Sequence, residues 1–381
     1  MDRRFGMLIK NGLVFFKEGC FRRADVKVVE NKIASVAEGI PDDGEVIDAE
    51  NMYVVPGFVD LHIHGAAGSD CCDGSAAALD VISGYLARQG VTSFCAATMS
   101  FDERTLTRAA ECVKERIRNA PAGHAGIRGI NMEGPFISPG KAGAQNPKYI
   151  IRPDYDMFHR INTASGNKIR IVDVAPEVDG MEDFIKKASR ECVVSIAHTT
   201  ADYFTCLKAF GNGASHVTHL YNAMPPFLHR EPGVIGAAME KAKYVELICD
   251  GVHVHPSVIR ATFRLFPERI CLISDSMKAC GLADGEYSLG GQPVFVKNGL
   301  ATHKNGTLAG STVSLAECVR RAVGFGVTLE EVLRSATINP ARAIGGEGTF
   351  GSIECGAEAN LLLLDHKLVP QTIIINGAIL D

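Results

Sequence analysis

The sequence carries no surplus of positive charge. Its 39 Lys and Arg are outnumbered by 44 Asp and Glu, a formal net charge of −5, so there is no basic footprint for nucleic acid or an anionic membrane surface. Long apolar runs are also missing. No stretch approaches the roughly 20 residues of a membrane span. Near the start, Met7-Leu8-Ile9 is broken by Lys10-Asn11-Gly12 before Leu13-Val14-Phe15-Phe16, which leaves no signal-peptide core. No Cys-x-x-Cys pair offers a zinc or redox site, and the adjacent Cys71-Cys72 reads as structural. The 12 cysteines are scattered, mostly in strand-like runs such as Phe94-Cys95-Ala96 and Ile248-Cys249, where a free thiol behaves as a small hydrophobe. A reducing cytoplasm is the expected location. No Gly-x-Gly-x-x-Gly or Walker loop follows a strand-like run, which argues against a nucleotide-binding sheet.

What is present is a change of pattern along the 381 residues, a length that suits one large domain and a smaller partner. Residues 7–55 alternate short apolar runs with turn signals at Lys10-Asn11-Gly12, Glu18-Gly19, Glu30-Asn31-Lys32 and Asp42-Asp43-Gly44, as in a sheet of hairpins. The C-terminal runs Leu361–Leu364 and Thr372–Leu380 look alike. Residues 1–55 and 350–381 are therefore expected to form one small β-sandwich. Between them, apolar runs of six to eight residues alternate with amphipathic helix-length segments, the sign of βαβ units. The runs start at Phe58, Val91, Ile127, Ile169, Cys192, Ala214, Tyr244 and Arg269. Eight such units favour a closed (β/α)8 TIM-type barrel over residues 56–349, an α/β fold, with a hairpin-like insertion near 285–310 over its mouth.

The most informative run is Val54-Val55-Pro56-Gly57-Phe58-Val59-Asp60-Leu61-His62-Ile63-His64-Gly65. On a strand, alternate side chains share a face, so His62 and His64 point the same way. By itself His-x-His is as compatible with two hydrogen-bonded histidines in a polar corner as with a metal site. The ends of the other expected strands add Glu133, His198, His219 and Asp275. The active site of such a barrel lies where the strands' C-terminal ends meet. Six ionisable side chains at one rim are costly unless paired or metal-bound, and nitrogen and oxygen donors of this kind suit a divalent metal such as zinc or iron.

These residues also carry a resemblance. Pro56-Gly57-Phe58-Val59-Asp60-Leu61-His62-Ile63-His64-Gly65 resembles the opening signature of the amidohydrolase superfamily. Met132-Glu133-Gly134-Pro135-Phe136, Thr218-His219-Leu220-Tyr221-Asn222-Ala223-Met224 and Arg230-Glu231-Pro232-Gly233 resemble its N-acetylglucosamine-6-phosphate deacetylase branch, as do Ala197-His198-Thr199, Asp250-Gly251-Val252-His253 and Ser274-Asp275. The resemblance implies hydrolysis of an acetylated amino-sugar phosphate. It implies Glu133, His198 and His219 as main metal ligands, and His62 and His64 as ligands of a second metal bridged by Glu133, so one or two ions per chain. It implies Asp275 as catalytic acid/base and Asn222, Ala223, Arg230 and His253 as holders of the sugar phosphate, with Leu308, Ala309 and Gly310 in a loop near the acetyl group. It also implies a homodimer in which Arg230 reaches a neighbour's site. Gln145 stands where several relatives place histidine, which bears on how the sugar is gripped.

The same residues make chemical sense unaided. A metal lowers the pKa of water to about 7, Asp275 can move the proton, a metal or His253 can polarise the carbonyl, and the Arg230 fork suits phosphate oxygens. Other readings are an N-acetylgalactosamine-6-phosphate deacetylase, an N-acyl amino-acid hydrolase, or a silent barrel that only binds.

Overall fold

The computed structural model describes residues 6–42 and 44–380; residues 1–5, 43 and 381, which include Asp43 of the expected Asp42-Asp43-Gly44 turn, lie outside the described residues. Eight parallel strands form the barrel: Phe58–Ile63, Val91–Ala97, Gly126–Met132, Ile169–Val174, Val193–Ile196, Ala214–Val217, Tyr244–Ile248 and Ile270–Ile273. They lie side by side in chain order. Every residue of Phe58–Ile63, Val91–Ala97 and Ile270–Ile273 is buried, because helices cover the outside and side chains fill the inside.

The first and eighth strands meet through polar contacts. The Asp275 amide donates to the His62 carbonyl at 3.0 Å and the His64 amide to the Ser276 carbonyl at 2.9 Å. Deeper in, the Ser274 hydroxyl donates to Asp60 Oδ2 at 2.5 Å and the Ser274 amide to Oδ1 at 3.3 Å. Burial pushes the Asp60 carboxyl up to about 7 against these hydrogen bonds. A buried acid partnered on both oxygens thus closes the barrel.

Several of the amphipathic segments that become helices begin at a capping acceptor. Asp102 accepts from the Thr105 amide at 2.9 Å, Asp202 from Thr205 at 2.8 Å and Ser314 from Glu317 at 3.3 Å, each satisfying an amide without an intrahelical partner. Three further helices go beyond the sequence expectation. Tyr155–Ala164 starts at an Asp154 cap, a signal that was present locally. Gly233–Lys241 is small, apolar and buried over most of its length, so it shows no amphipathic stripe. Ile338–Ala343 runs through Pro340; a proline is tolerated in a first turn because the amide there has no intrahelical partner.

Both chain ends enter a single eight-stranded sheet. Its path runs Ala378–Ile379, Pro370–Ile375, Leu361–Leu364, Tyr53–Pro56, Met7–Phe15, Phe21–Val29 and Lys32–Ala37, with Glu45–Asp48 also paired to Met7–Phe15. Lys10-Asn11-Gly12 is not a hairpin turn. Asn11 is left-handed at φ 63° and the register shifts between Ile9 and Gly12, so the segment is a bulge inside one long strand. A Cβ on Gly12 would lie 2.4 Å from Val54 Cγ2, which explains the glycine. Val26, Val28 and Ile33 from one end of the sheet share a core with Leu361, Leu363 and Ile374 from the other, so the sheet packs its two ends against each other.

The insertion is a three-stranded antiparallel sheet, Gly285–Leu289, Gln292–Lys297 and Leu300–Thr302. Its Leu289, Val294 and Val296 pack on Met99, Met277 and Ala309 beside the C-terminal ends of the barrel strands.

Candidate active site

The six rim residues come together, and because the strands stop slightly earlier than expected, five of the six lie just past a strand end. His62 is the penultimate residue of its strand, and His64 and Glu133 follow theirs by one residue. His198, His219 and Asp275 follow by two. These last three are left-handed at φ 42°, 29° and 48°. A left-handed residue that is not glycine is strained by on the order of 1–3 kcal/mol and persists where surrounding structure enforces it, as it does at functional sites.

The donor atoms form two connected groups sharing Glu133. In one, His198 Nε2 and His219 Nε2 lie 3.1 and 3.0 Å from Glu133 Oε1 and 3.1 Å from each other. In the other, His62 Nε2 and His64 Nε2 are 3.3 Å apart, 3.5 Å from Glu133 Oε1 and 3.3 Å from Glu133 Oε2 respectively. Asp275 Oδ1 adds an oxygen 3.3 Å from His64 Nε2 and 3.7 Å from His62 Nε2. A tetrahedral ion with bonds of about 2.0–2.1 Å separates its ligand atoms by about 3.3–3.4 Å. Facing imidazole nitrogens this close repel unless a proton or cation lies between them. The donor set fits a metal.

Charge on the cluster follows the same logic. Burial disfavours the imidazolium forms, but the carboxylates outweigh it: Glu133, Glu246 and Asp275 raise His62 well above its ordinary value, and Asp275 and Glu133 raise His64 to about 9. Burial would likewise raise the acids, yet the surrounding imidazoles hold Glu133 well below, and Asp275 below, the usual carboxylate range.

Several partners orient these donors. His198 Nδ1 donates to the Lys141 carbonyl at 2.9 Å, which leaves Nε2 as the lone-pair nitrogen facing Glu133. Gln145, buried, accepts from the Ser100 amide at 2.6 Å and donates through Nε2 to Glu133 Oε2. Its amide is therefore engaged behind the glutamate. His62 Nδ1 lies 3.1 Å from Glu246 Oε2. Glu246 was not anticipated; the available signal was a lone acid in the apolar strand Tyr244–Ile248.

A cavity of ≈ 420 Å³ opens onto the cluster, within the range of small-molecule sites. His64, Glu133, Gln145, His198, His219, Asn222, Ala223, His253, Asp275, Leu308 and Gly310 line it, together with Met99, Lys141, Leu289 and Thr307. His253 Nδ1 donates to Asp250 Oδ2 at 2.7 Å; burial opposes protonation, but Asp250 outweighs it and raises the imidazole above its ordinary value. Three expected site residues are not among the lining. His62 is fully buried, its Nε2 beside His64. Ala309 is fully buried in the insertion's core. Arg230 is exposed and its guanidinium donates to His229 Nε2 at 2.6 Å.

Comparison with known proteins agrees with this site. The amidohydrolase family profile matches residues 53–380. The N-acetylglucosamine-6-phosphate deacetylase of Bacillus subtilis is 36% identical over 94% of this chain and 93% of its own length. The N-acetylgalactosamine-6-phosphate deacetylase of Escherichia coli O157:H7 is 34% identical over 95% and 96%. The solved structure of a Mycobacterium smegmatis N-acetyl-D-glucosamine-6-phosphate deacetylase mutant in complex with N-acetyl-D-glucosamine-6-phosphate superposes with a TM-score of 0.91, at 32% identity over 99% of both chains. The chain belongs to the metal-dependent amidohydrolase family and, within it, to the branch of the N-acetylglucosamine-6-phosphate deacetylases.

Proposed function

We propose that the chain hydrolyses the acetamide of N-acetyl-D-glucosamine 6-phosphate to D-glucosamine 6-phosphate and acetate. The observation carrying this reading is the single cavity in which the Glu133, His198 and His219 donors meet Asp275 and His253. On this reading Glu133, His198 and His219 would hold the main metal, and His62 and His64, together with Glu133, would hold a second. A bound zinc or iron supplies the Lewis acidity that makes water deprotonate near neutral pH. Asp275, kept ionised by the imidazoles beside it, accepts a proton from the attacking water. It returns that proton to the nitrogen as the C–N bond breaks, so the amine leaves neutral rather than as an anion.

His253, whose protonated form Asp250 favours, offers as an imidazolium its Nε2–H to a substrate oxygen. Asn222, Ala223 and the Leu308–Gly310 turn border the sugar. Arg230 is exposed and off its own cavity, which fits a homodimer in which it binds phosphate in a neighbour's site. Twelve unpaired thiols suit a reducing cytoplasm, and among the described residues no helix is long and apolar enough to cross a membrane.

The Escherichia coli relative makes the galactosamine epimer the second reading. Acetate release measured on both N-acetylhexosamine 6-phosphates and on unphosphorylated N-acetylglucosamine separates the two. The glucosamine phosphate is expected to show the highest kcat/KM. Preference for the galactosamine phosphate would replace the first reading with the second, and equal rates without phosphate would remove both.

A further inference from the structure

Among the described residues, His62 alone of the four imidazoles in the donor cluster has a carboxylate on its outer nitrogen. His198 Nδ1 has a neutral carbonyl, and His64 Nδ1 and His219 Nδ1 have no hydrogen-bond partner. The carboxylate belongs to Glu246, wholly buried in the middle of the strand Tyr244–Ile248. Its Oε2 lies 3.1 Å from His62 Nδ1 and 3.4 Å from the His219 amide. Its Oε1 stands 3.3 Å from His216 Nε2, at ion-pair distance. An ion this deep is disfavoured by several kcal/mol unless compensated, so its placement against one ligand of four calls for a reason.

Two physical consequences supply one. A neutral imidazole carries its proton on one nitrogen, and a carboxylate at Nδ1 keeps it there, which leaves the Nε2 lone pair facing His64 and Glu133. Glu133 and Asp275 also bring only two negative charges to the cluster, whereas two divalent ions bring four positive ones. Glu246 adds a third negative charge one imidazole ring away from the His62 and His64 side. The His198 and His219 side, where one ion would already find Glu133, has no equivalent.

We propose that Glu246 is the positioning residue of a second divalent-metal site at His62 and His64, fixing the tautomer of His62 and adding the charge that a second cation requires. This rests on the two-metal reading above. Glu246 does not touch the substrate cavity, so it acts through His62.

The test is zinc binding to the full chain: metal content after loading, and competition against a chromophoric chelator that resolves the two sites, for the wild type and Glu246→Gln. The wild type should hold about two ions per chain. The variant should bind the second ion about 10- to 100-fold more weakly, the usual cost of losing such a partner, with the affinity of the first ion unchanged. Glu246→Asp, which keeps the charge but shortens its reach, should lie between them, and it carries the test should the Gln variant not fold. A wild type that holds one ion would overturn the two-metal reading and this proposal with it. Two wild-type ions, with the second bound equally well by the variants, would overturn this proposal alone. So would an equal loss at both sites, which would make Glu246 a general support of the barrel.

Discussion

The core of the terminal sheet and the interior of the barrel are built on opposite principles. Met7, Ile9, Val26, Val28, Leu361, Leu363 and Ile374 form an apolar core, and the acid buried in the same sheet, Asp25, is satisfied locally by the Asn11 and Ile40 amides. The barrel interior buries Asp60, His62, Asp173, His216 and Glu246, each at most 1% exposed. Thr218 donates to Asp173 Oδ1 at 2.7 Å and shares a 2.7 Å hydrogen bond with Ser195. An apolar core repays burial at about 25 cal/mol per Å². A buried polar network gains little net stability, and partly satisfied it is a liability. The sheet therefore supplies stability, and the barrel interior uses stability supplied elsewhere to hold the donor cluster in place. Perturbing one region should change folding and leave chemistry intact, and the reverse should hold for the other.

The largest effect expected on the chemical side is that of Asp275→Asn. It keeps the shape but removes the basic oxygen, and kcat should drop by at least ~10²-fold, the low end for a positioned acid/base, with metal content and melting temperature near wild type. Normal turnover with intact metal would exclude Asp275 as the proton carrier.

On the structural side, Leu363→Ala removes a fully buried side chain from the sheet core. It should destabilise the chain by about 2–5 kcal/mol in denaturant unfolding with kcat per folded molecule unchanged. A parallel fall in kcat would mean that the two regions are not separable.

Arg230→Ala sharpens the comparison from outside either core. Losing a charged hydrogen bond to phosphate, worth about 1.5–3 kcal/mol, should lower kcat/KM roughly 10- to 100-fold on the phosphorylated sugar and little on the unphosphorylated one. Mixing this variant with a cavity-defective chain such as Asp275→Asn should recover part of the activity if each cavity borrows its arginine. No recovery would place the phosphate contact within one chain.

The smallest effect is that of Asp250→Asn. With the carboxylate gone, only the more distant Asp275 charge opposes burial, and the His253 titration followed by NMR should fall from its raised value. In the wild type the folded-state value exceeds the unfolded one, so this pair's contribution to stability is complete below about pH 6.5 and is lost as the pH rises through the folded value. That slope should shrink in the variant as the folded value approaches the unfolded one. An unmoved titration would assign the raised value to another partner.

How much of this was legible in the sequence depends on the range of the interaction. Period-two and helical patterns are local, so all eight barrel strands and the rim positions of His62, His64, Glu133, His198, His219 and Asp275 could be read directly. Motifs at those positions pointed to the family. Gly233–Lys241 was hidden because a helix buried on nearly all sides loses its stripe. The bulge at Asn11 looked like a turn because a single left-handed residue serves both.

The sequence by itself thus determined the barrel, the donor types and their common rim, since each depends on the residue and its near neighbours. Only the tertiary structure decided what stands behind each donor. Glu246 is 184 residues from His62, and nothing in the run Val245-Glu246-Leu247 says which imidazole it will meet. Gln145 faces Glu133, and Arg230 turns to His229 off the cavity, for the same reason. Side-chain partners across a barrel are chosen by strand register and closure, which no local pattern encodes.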